Sequence, residues 1–243
     1  MPTHLNSMPS DIKLYRRDGA CSFVPHALLN ELDISFTSVL MEWDKNGVFA
    51  AADGSFTNEE YKEKIHPSGY VPALTVDDQA IIELPAILTY IAEFAPHRKM
   101  IGETALEKAK VYEWLVWLSG TLHAQGFGAL WRPARFTDDH SESIHKAITN
   151  KGWKKIMECF ARIESQIEGV HAVGDKFTVA DLNLLIFWYW GAFKLDFEKD
   201  TFANQFPRYT ALVKELEKVE SVRKTLKAKS LASEFAEFAN IES

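Results

Sequence analysis

Cysteines are scarce in this sequence and long apolar runs are missing, and each shortage excludes a class of protein. The 243 residues include two cysteines, Cys21 and Cys159, which are too few and too far apart for a disulfide framework and fit a reducing compartment. No segment approaches the roughly 18 apolar residues that span a bilayer. The polar segment 1–10 lacks the apolar stretch of a signal peptide. We therefore expect a cytoplasmic chain that does not associate with membranes.

Positive charge is also in short supply, since 27 lysines and arginines stand against 34 aspartates and glutamates and give a formal net charge of −7. Sequence-independent binding of nucleic acid needs a basic surface that neutralises phosphates, so we expect no nucleic-acid partner. The eight histidines are scattered, and no pair has a ligand-like spacing beside another metal ligand. No metal site is predicted.

Residues 11–97 alternate between strand and helix patterns, which predicts a compact α/β domain. The segment 42–57 contains Gly47 and the pair Asp53-Gly54 and is predicted to be a loop. Strands are predicted at 12–15, 36–41, 71–76 and 80–82, and helices at 21–32, 58–65 and 84–91.

The second part of the chain is predicted to be entirely helical, from 104 to 243, after a polar linker at 96–103. Thr178 and Asp181 form a capping-box pattern, which stabilises the start of a helix. Phe235 and Phe238 lie at helical spacing and favour packing of the C-terminal tail. Helices are predicted at 106–122, 144–168, 182–193, 209–219 and 222–226.

Cys21 is the most reactive candidate side chain, because it follows a Gly-containing turn at the predicted start of a helix. Unpaired N–H groups and the helix dipole favour a thiolate there. A small apolar cysteine packed at a helix start fits the pattern equally well. Val24 stands where a Cys-x-x-Cys pair would have its second cysteine, so the sequence lacks such a pair. An external thiol therefore has to occupy the site or resolve a disulfide formed by Cys21.

Pro72 precedes a predicted strand, where a cis peptide bond can expose the backbone of Val71 to an extended peptide ligand. An ordinary turn followed by a strand is the simpler alternative. Glu83, at the start of the next helix, can bind an amine or cap the helix.

The chain contains a series of short motifs at characteristic distances from one another. They are Lys13-Leu14-Tyr15, Gly19-Ala20-Cys21-Ser22, Pro67-x-Gly69-x-Val71-Pro72-Ala73-Leu74, Glu83, Glu113-Trp114-Leu115, His123 and Gly174-Asp175-x-Phe177-Thr178-Val179-Ala180-Asp181. Together they resemble the glutathione transferase superfamily, in particular its bacterial beta class and the related fungal enzymes. The resemblance covers the chain from about residue 12 to about residue 226. It implies a thioredoxin-like N-terminal domain at 11–97, an all-α C-terminal domain at 104–243, and a homodimer.

The resemblance also implies a site that takes glutathione as co-substrate. Cys21 matches the cysteine that contacts the glutathione sulfur and can form a mixed disulfide with it. Val71 matches the residue whose backbone pairs with the cysteinyl unit, and Pro72 matches the cis proline. Glu83 matches the acid that faces the γ-glutamyl amine. His123 matches a histidine of the helical domain that reaches the thiol region, where an imidazole can help to ionise the thiol. A histidine that is satisfied within the helix bundle is the alternative.

Leu84 stands where the family usually places Ser or Gly, so this position offers a backbone N–H but no hydroxyl to the γ-glutamyl carboxylate. The missing hydrogen bond corresponds to about 1 kcal/mol. Tyr15 and Ser22 are alternative thiol-activating hydroxyls, because other classes of the superfamily use Tyr or Ser in this region.

Aromatic residues after His123, with Arg132 and Arg135 nearby, are candidates for the pocket of a second substrate. We expect Phe127 and Trp131 to line this pocket, since such pockets are largely apolar; packing within a helical core is the alternative. The predicted function is conjugation of glutathione to a small apolar electrophile, with Cys21-dependent thiol transfer as an additional activity. The rival hypothesis is a non-catalytic binding or interaction protein with the same fold.

Overall fold

The computed structural model describes residues 9, 11–45, 47–77, 79–195, 197 and 201–228. Phe235 and Phe238, on which the expectation for the C-terminal tail rests, lie outside the described residues. Contacts divide the chain into two compact units that meet in sequence between Met100 and Ile101. The described residues from Leu216 onwards belong to the first unit and not to the second. The domain ranges 11–97 and 104–243 stay predictions.

The first unit contains a mixed sheet with the strand order β3-β2-β1-β4-β5. β1 is parallel to β2, and the remaining neighbours are antiparallel. The strands are β1 Ile12–Arg16, β2 Thr37–Trp43, β3 Phe49–Ala51, β4 Ala73–Val76 and β5 Gln79–Ile82. The helices are α1 Phe23–Glu31, α2 Asn58–Lys64, α3 Leu84–Ala92 and, from the end of the chain, α10 Glu220–Ala228.

One predicted loop of this unit is partly a strand. The segment 42–57 contains the end of β2 and all of β3, which pairs with β2 through Phe49 opposite Trp43. The three residues of β3 are too few to show a periodic pattern, and the turn residues around them dominate the local signal.

α10 packs against α1, which explains why this last described helix belongs to the same unit as the sheet. The Asn30 amide donates to the Thr225 hydroxyl at 2.8 Å, and the Ser221 hydroxyl donates to the Glu31 carboxylate at 2.7 Å. Thr225 is fully buried. Polar groups of α10 are therefore satisfied by α1 instead of by water.

The second unit is helical throughout its regular structure. α4 begins with a capping box in which the Glu107 N–H donates to the Thr104 hydroxyl and the Thr104 N–H donates to the Glu107 carboxylate. The α-helices are α4 Ala105–Trp117, α5 Gly128–Trp131, α6 Glu142–Gln166, α7 Val179–Lys194, α8 Thr201–Gln205 and α9 Pro207–Leu216.

α7 is the buried central helix of this unit, and the predicted capping box at its start is present. The carboxylate of Asp181, which has no exposed surface, accepts the Thr178 N–H at 2.7 Å, the Thr178 hydroxyl at 3.1 Å and the Ala172 N–H at 2.7 Å. The Nδ1 atom of His171 lies 3.7 Å from the same carboxylate, and the interaction with Asp181 raises the pKa of His171. Asp181 thus joins the preceding loop to the helix.

A π-helix, Leu118–Phe127, continues α4 where the sequence predicted one helix up to residue 122. α6 crosses this π-helix at Gly152, where an added Cβ would lie 2.7 Å from the Leu130 backbone nitrogen and 2.9 Å from the Gly126 carbonyl oxygen. A glycine is therefore required for the close approach of the two backbones. Long π-helical stretches are rare and are found mostly near functional sites.

Candidate functional site

Three of the predicted site residues lie at one end of the sheet because of its register. Tyr15, near the end of β1, pairs with Ala73 at the start of β4, and Ala73 pairs with Ile82 at the end of β5. The chain therefore leaves β1 towards Cys21, enters β4 from Val71, and leaves β5 towards Glu83, all at the same edge. The strand pairing alone brings these three residues together in the first unit.

Cys21 is the member of this group that carries a nucleophile. Its side chain is 5% exposed, just before α1, and its sulfur donates to the Val71 carbonyl oxygen at 3.7 Å. Neither Cys21 nor Cys159 is part of a disulfide. At this position the thiol lies at the N-terminal end of α1, where the helix dipole stabilises negative charge.

The peptide bond between Val71 and Pro72 is cis. The side chain of Val71 packs against a buried cluster that includes Tyr15 and Tyr61. The Tyr61 hydroxyl donates to the Tyr70 carbonyl oxygen at 2.7 Å, which fixes the segment immediately before Val71. The cluster therefore holds the side chain of Val71 while its backbone lies at the edge that Cys21 contacts.

Glu83 has a backbone conformation that is unusual for a residue other than glycine. Its φ is 68°, and it is the N-cap of α3. Such a positive φ costs of the order of 1–3 kcal/mol and is found preferentially at ligand sites. The side chain is exposed, and its charge acts on the buried His66, opposing the lowering of the pKa of His66 by burial. No motif in the sequence indicates the proximity of Glu83 to His66.

Leu84 is 7% exposed, so its side chain packs into the first unit and not towards solvent. What it offers at this edge is its backbone N–H, one of the first N–H groups of α3, which have no acceptor within the helix. Together with the Glu83 carboxylate, the helix start can bind a group that carries both an ammonium and a carboxylate.

The structure places the two alternative hydroxyls in structural roles. The Ser22 hydroxyl donates to the Arg17 carbonyl oxygen and accepts the Arg17 N–H, both at 3.0 Å, and Ser22 has no exposed surface. Tyr15 is 1% exposed, and burial raises its pKa. The Ser22 hydroxyl therefore stabilises the loop beside Cys21, and the Tyr15 side chain belongs to the neighbouring core.

His123 lies on the π-helix of the second unit, half-buried among aromatic rings. Its ring meets Trp190 edge-on at 5.0 Å and Phe187 at 5.9 Å between centroids. Burial, followed by the charges of Arg132 and Arg135, lowers the pKa of His123 to about 4. The imidazole is therefore neutral at physiological pH, and with so low a pKa it is a weak base towards a thiol.

Phe127 and Trp131 differ in their exposure. Phe127 has no exposed surface and contacts the rings of Trp131, Phe160, Phe187 and Trp190, so it belongs to the core of the helical unit. Trp131 is 43% exposed while its ring contacts Phe127 at 4.7 Å and Trp190 at 5.0 Å. Only Trp131 of the pair presents substantial surface to a ligand.

Two features are absent from the described residues. No helix among them combines the length and the apolarity that a membrane span needs. No group of three or more histidine, cysteine or acidic side chains among them is arranged to hold a metal ion.

Comparisons with known proteins agree with this architecture. A family model described as "Glutathione S-transferase, C-terminal domain" matches residues 128–229. The glutathione S-transferase GstA of Escherichia coli O157:H7 is 29% identical over 191 residues, which cover 77% of this chain and 86% of that protein.

Solved structures show the same relationship. A sphingomonad glutathione S-transferase complexed with glutathione is 28% identical, with a TM-score of 0.73, and the match covers 90% of this chain and 100% of that one. The beta-class glutathione S-transferase of Sphingomonas chungbukensis is 26% identical, with a TM-score of 0.73 and coverage of 90% and 99%.

The fold is therefore that of the proteins that join a thioredoxin-like N-terminal domain to a helical C-terminal domain, as the sequence predicted. The resemblance to the glutathione transferase superfamily, and in particular to its beta class, is confirmed. This chain is a glutathione transferase, and the hypothesis of a non-catalytic protein with this fold is not favoured.

Proposed function

We propose that this enzyme binds glutathione at the edge formed by Cys21, Val71 and Glu83 and conjugates it, through its sulfur, to a small apolar electrophile. The observation that carries the proposal is the 3.7 Å contact between the Cys21 sulfur and the Val71 carbonyl oxygen. It brings a thiol to the backbone that would pair with the cysteinyl unit of the ligand. Relatives with this fold have been solved with bound glutathione.

The γ-glutamyl end of glutathione carries an ammonium and a carboxylate, and the start of α3 offers a partner to each. The exposed Glu83 carboxylate would pair with the ammonium, and the Leu84 N–H would donate to the carboxylate. Because the Leu84 side chain is buried, this second contact depends on the backbone alone.

In conjugation, the glutathione thiolate attacks the electrophilic carbon, a carbon–sulfur bond forms, and the leaving group departs with its electron pair. The neutral His123 supplies no positive charge to the thiolate. Stabilisation of the thiolate therefore falls to the dipole of α1 and to the groups around Cys21. Holding the two reactants together supplies a further part of the rate enhancement.

Thiol transfer is a second activity that the position of Cys21 favours. The Cys21 thiolate attacks the sulfur of glutathione in a mixed disulfide, forms a disulfide with it, and releases the other thiol as a thiolate. A second glutathione thiolate then attacks this intermediate, which yields oxidised glutathione and regenerates Cys21.

We further propose a cytoplasmic homodimer with a role in detoxification. Exposed apolar side chains on α4 support a partner subunit, since Leu106 is 70% and Val116 is 62% exposed. Exposed apolar side chains in one region are typical of a surface that is covered by association. Sedimentation equilibrium tests this: Val116→Asp should shift a dimer to monomers.

The proposed chemistry is tested with Cys21→Ala beside the matched variant Cys159→Ala, which removes the chain's other thiol. Reduction of 2-hydroxyethyl disulfide by glutathione should be lost in Cys21→Ala and retained in Cys159→Ala. Conjugation of 1-chloro-2,4-dinitrobenzene should be measurable in the wild type. Absence of both activities in the wild-type enzyme would contradict the proposed function.

A further inference from the structure

Exposed aromatic and cationic side chains share a surface of the second unit beside His123. This surface, here named the Trp131 face, follows α5 and consists of Trp131, Arg132, Arg135 and Phe136. Trp131 is 43% exposed and Phe136 49% exposed, and both arginines are exposed. Large exposed aromatic side chains beside charged groups are typical of ligand sites.

The two arginines lie at the ends of a tight turn. Pro133–Arg135 form a 3-10 helix, in which the Arg135 N–H donates to the Arg132 carbonyl oxygen at 3.0 Å. Arg132 is the N-cap residue before this turn and Arg135 is its last residue, and both guanidinium groups act on the pKa of His123. The ring of Pro133 fixes the backbone between the two arginines.

The charge of this face is positive. Both guanidinium groups are close enough to His123 to lower its pKa in addition to the larger effect of burial, so the imidazole is neutral there. Arg132 forms no ion pair with another residue that the structure describes. Among the acids of the following loop, Asp139 accepts the Ser141 N–H at 2.8 Å and so is engaged at the start of α6.

The aromatic part of the face is held in place from below. The Trp131 ring rests against Phe127 at 4.7 Å and Trp190 at 5.0 Å. The ring of Phe136 packs against Gly128: its Cζ atom lies 3.7 Å from the position that a Cβ atom on Gly128 would have. A rigid ring with nearly half of its surface exposed is suited to stack on a flat apolar ligand, and a guanidinium beside it is suited to bind a carboxylate.

We infer that the Trp131 face binds the second substrate and selects aromatic electrophiles that carry a negative charge, such as a carboxylate. This inference rests on the proposed function for the identity of the bound molecule as an electrophile. An aromatic ring would stack on Trp131 while its anionic substituent meets Arg132 and Arg135. The neutral electrophile expected from the sequence would use the ring contact alone.

Two unreactive probes of the same shape test the inference without requiring catalysis: 3,5-dinitrobenzoate and 1,3-dinitrobenzene, each followed by quenching of tryptophan fluorescence. The wild type should bind the anionic probe about tenfold more tightly. Arg132→Gln and Arg135→Gln should each reduce this preference several-fold, and Arg132→Lys should keep most of it. Arg208→Gln removes an exposed arginine of the same unit and should leave the preference unchanged.

A kinetic pair then connects binding to the reaction. In 4-chloro-3,5-dinitrobenzoate and 1-chloro-2,4-dinitrobenzene the glutathione thiolate displaces chloride. The ratio of kcat/KM for the charged over the uncharged compound, relative to the wild type, should fall several-fold in both glutamine variants and not in Arg208→Gln. Circular dichroism confirms that each variant is folded.

The outcomes separate the two proposals. Equal affinity of the wild type for both probes, or a preference that survives in Arg132→Gln and Arg135→Gln, overturns the assignment of the Trp131 face. A wild type that shows the charge preference but neither binds glutathione nor conjugates either chloride overturns the proposed function and leaves an anion-selective aromatic site.

Discussion

The sulfur of Cys21 lies 3.7 Å from the carbonyl oxygen of Val71, although 50 positions separate the two residues in the sequence. The sheet register produces this contact, because β1 leads to Cys21 at the same edge where β4 begins after Val71. A nucleophilic thiol and a backbone suited to pair with an extended peptide are thereby held side by side.

The two cysteines should differ strongly in reactivity. Burial raises the pKa of Cys159 to about 11, so only about a thousandth of it is thiolate at pH 8. Cys21 lies at the start of α1, where a thiolate is favoured. Iodoacetamide labelling of the native protein, followed by peptide mass mapping, should modify Cys21 first. Equal or faster labelling of Cys159 would contradict the assignment of Cys21 as the reactive thiol.

Glu83→Gln should weaken glutathione binding about tenfold or more, because the variant keeps the size of the side chain and removes the charge that pairs with the ammonium. The KM for glutathione should rise more than kcat falls. Glu93→Gln, at the other end of α3, removes an exposed acid of the same helix and is the matched control. Equal KM values for both variants would exclude Glu83 from the binding site.

Asp181→Ala should destabilise the protein by about 3 kcal/mol or more. The substitution leaves the N–H groups of Thr178 and Ala172 without their acceptor at the start of a buried helix. The free energy of unfolding, measured with urea, gives the loss directly. Asp175→Ala, in the exposed turn just before, should change it by less than about 0.5 kcal/mol. Similar losses in the two variants would contradict the role of Asp181.

His123 should make the enzyme less stable in acid. Its pKa of about 4 in the folded state lies below the ordinary value of 6.5, so the unfolded chain binds the extra proton between these values. The contribution of the neutral His123 to the free energy of unfolding is fully present above pH 6.5. It is lost as the pH falls towards 4, by at most about 3 kcal/mol. Burial also lowers the pKa of His66, which adds a loss of the same sign.

Urea unfolding at pH 7 and pH 4.5 measures this contribution. In His123→Phe the difference between the two pH values should be smaller than in the wild type, whereas His97→Gln, at an exposed histidine, should retain the wild-type difference. An unchanged difference in His123→Phe would show that His123 is protonated as easily in the folded as in the unfolded chain.

A shared site of Cys21, Val71 and Glu83 was implied by the resemblance of their motifs to the superfamily, and the sheet register gives the physical reason why the three lie at one end of the strands. Their motifs lie at strand ends, and the register of a sheet brings such ends together. The capping box of Thr178 and Asp181 could be predicted for a different reason: its residues are close in sequence, and its hydrogen bonds are local.

Other features depend on tertiary contacts that local patterns do not encode. Phe127 and Trp131 are both aromatic residues of one helical segment, yet only packing decides that the first is buried and the second exposed. The hydroxyls of Tyr15 and Ser22 were available to a ligand by residue type, but the fold buries the Tyr15 side chain and pairs the Ser22 hydroxyl with the backbone of Arg17. The π-helix after α4 differs from an α-helix by a shift in periodicity too small to recognise over ten residues.

Calorimetric titration of the wild-type enzyme with glutathione tests the central claim most directly. The account predicts saturable binding at millimolar or lower concentration, with an altered enthalpy in Cys21→Ala, because that substitution removes the thiol beside Val71. An absence of binding heat at several millimolar glutathione would contradict the proposed site, and binding that is identical in Cys21→Ala would show that Cys21 does not meet the glutathione sulfur.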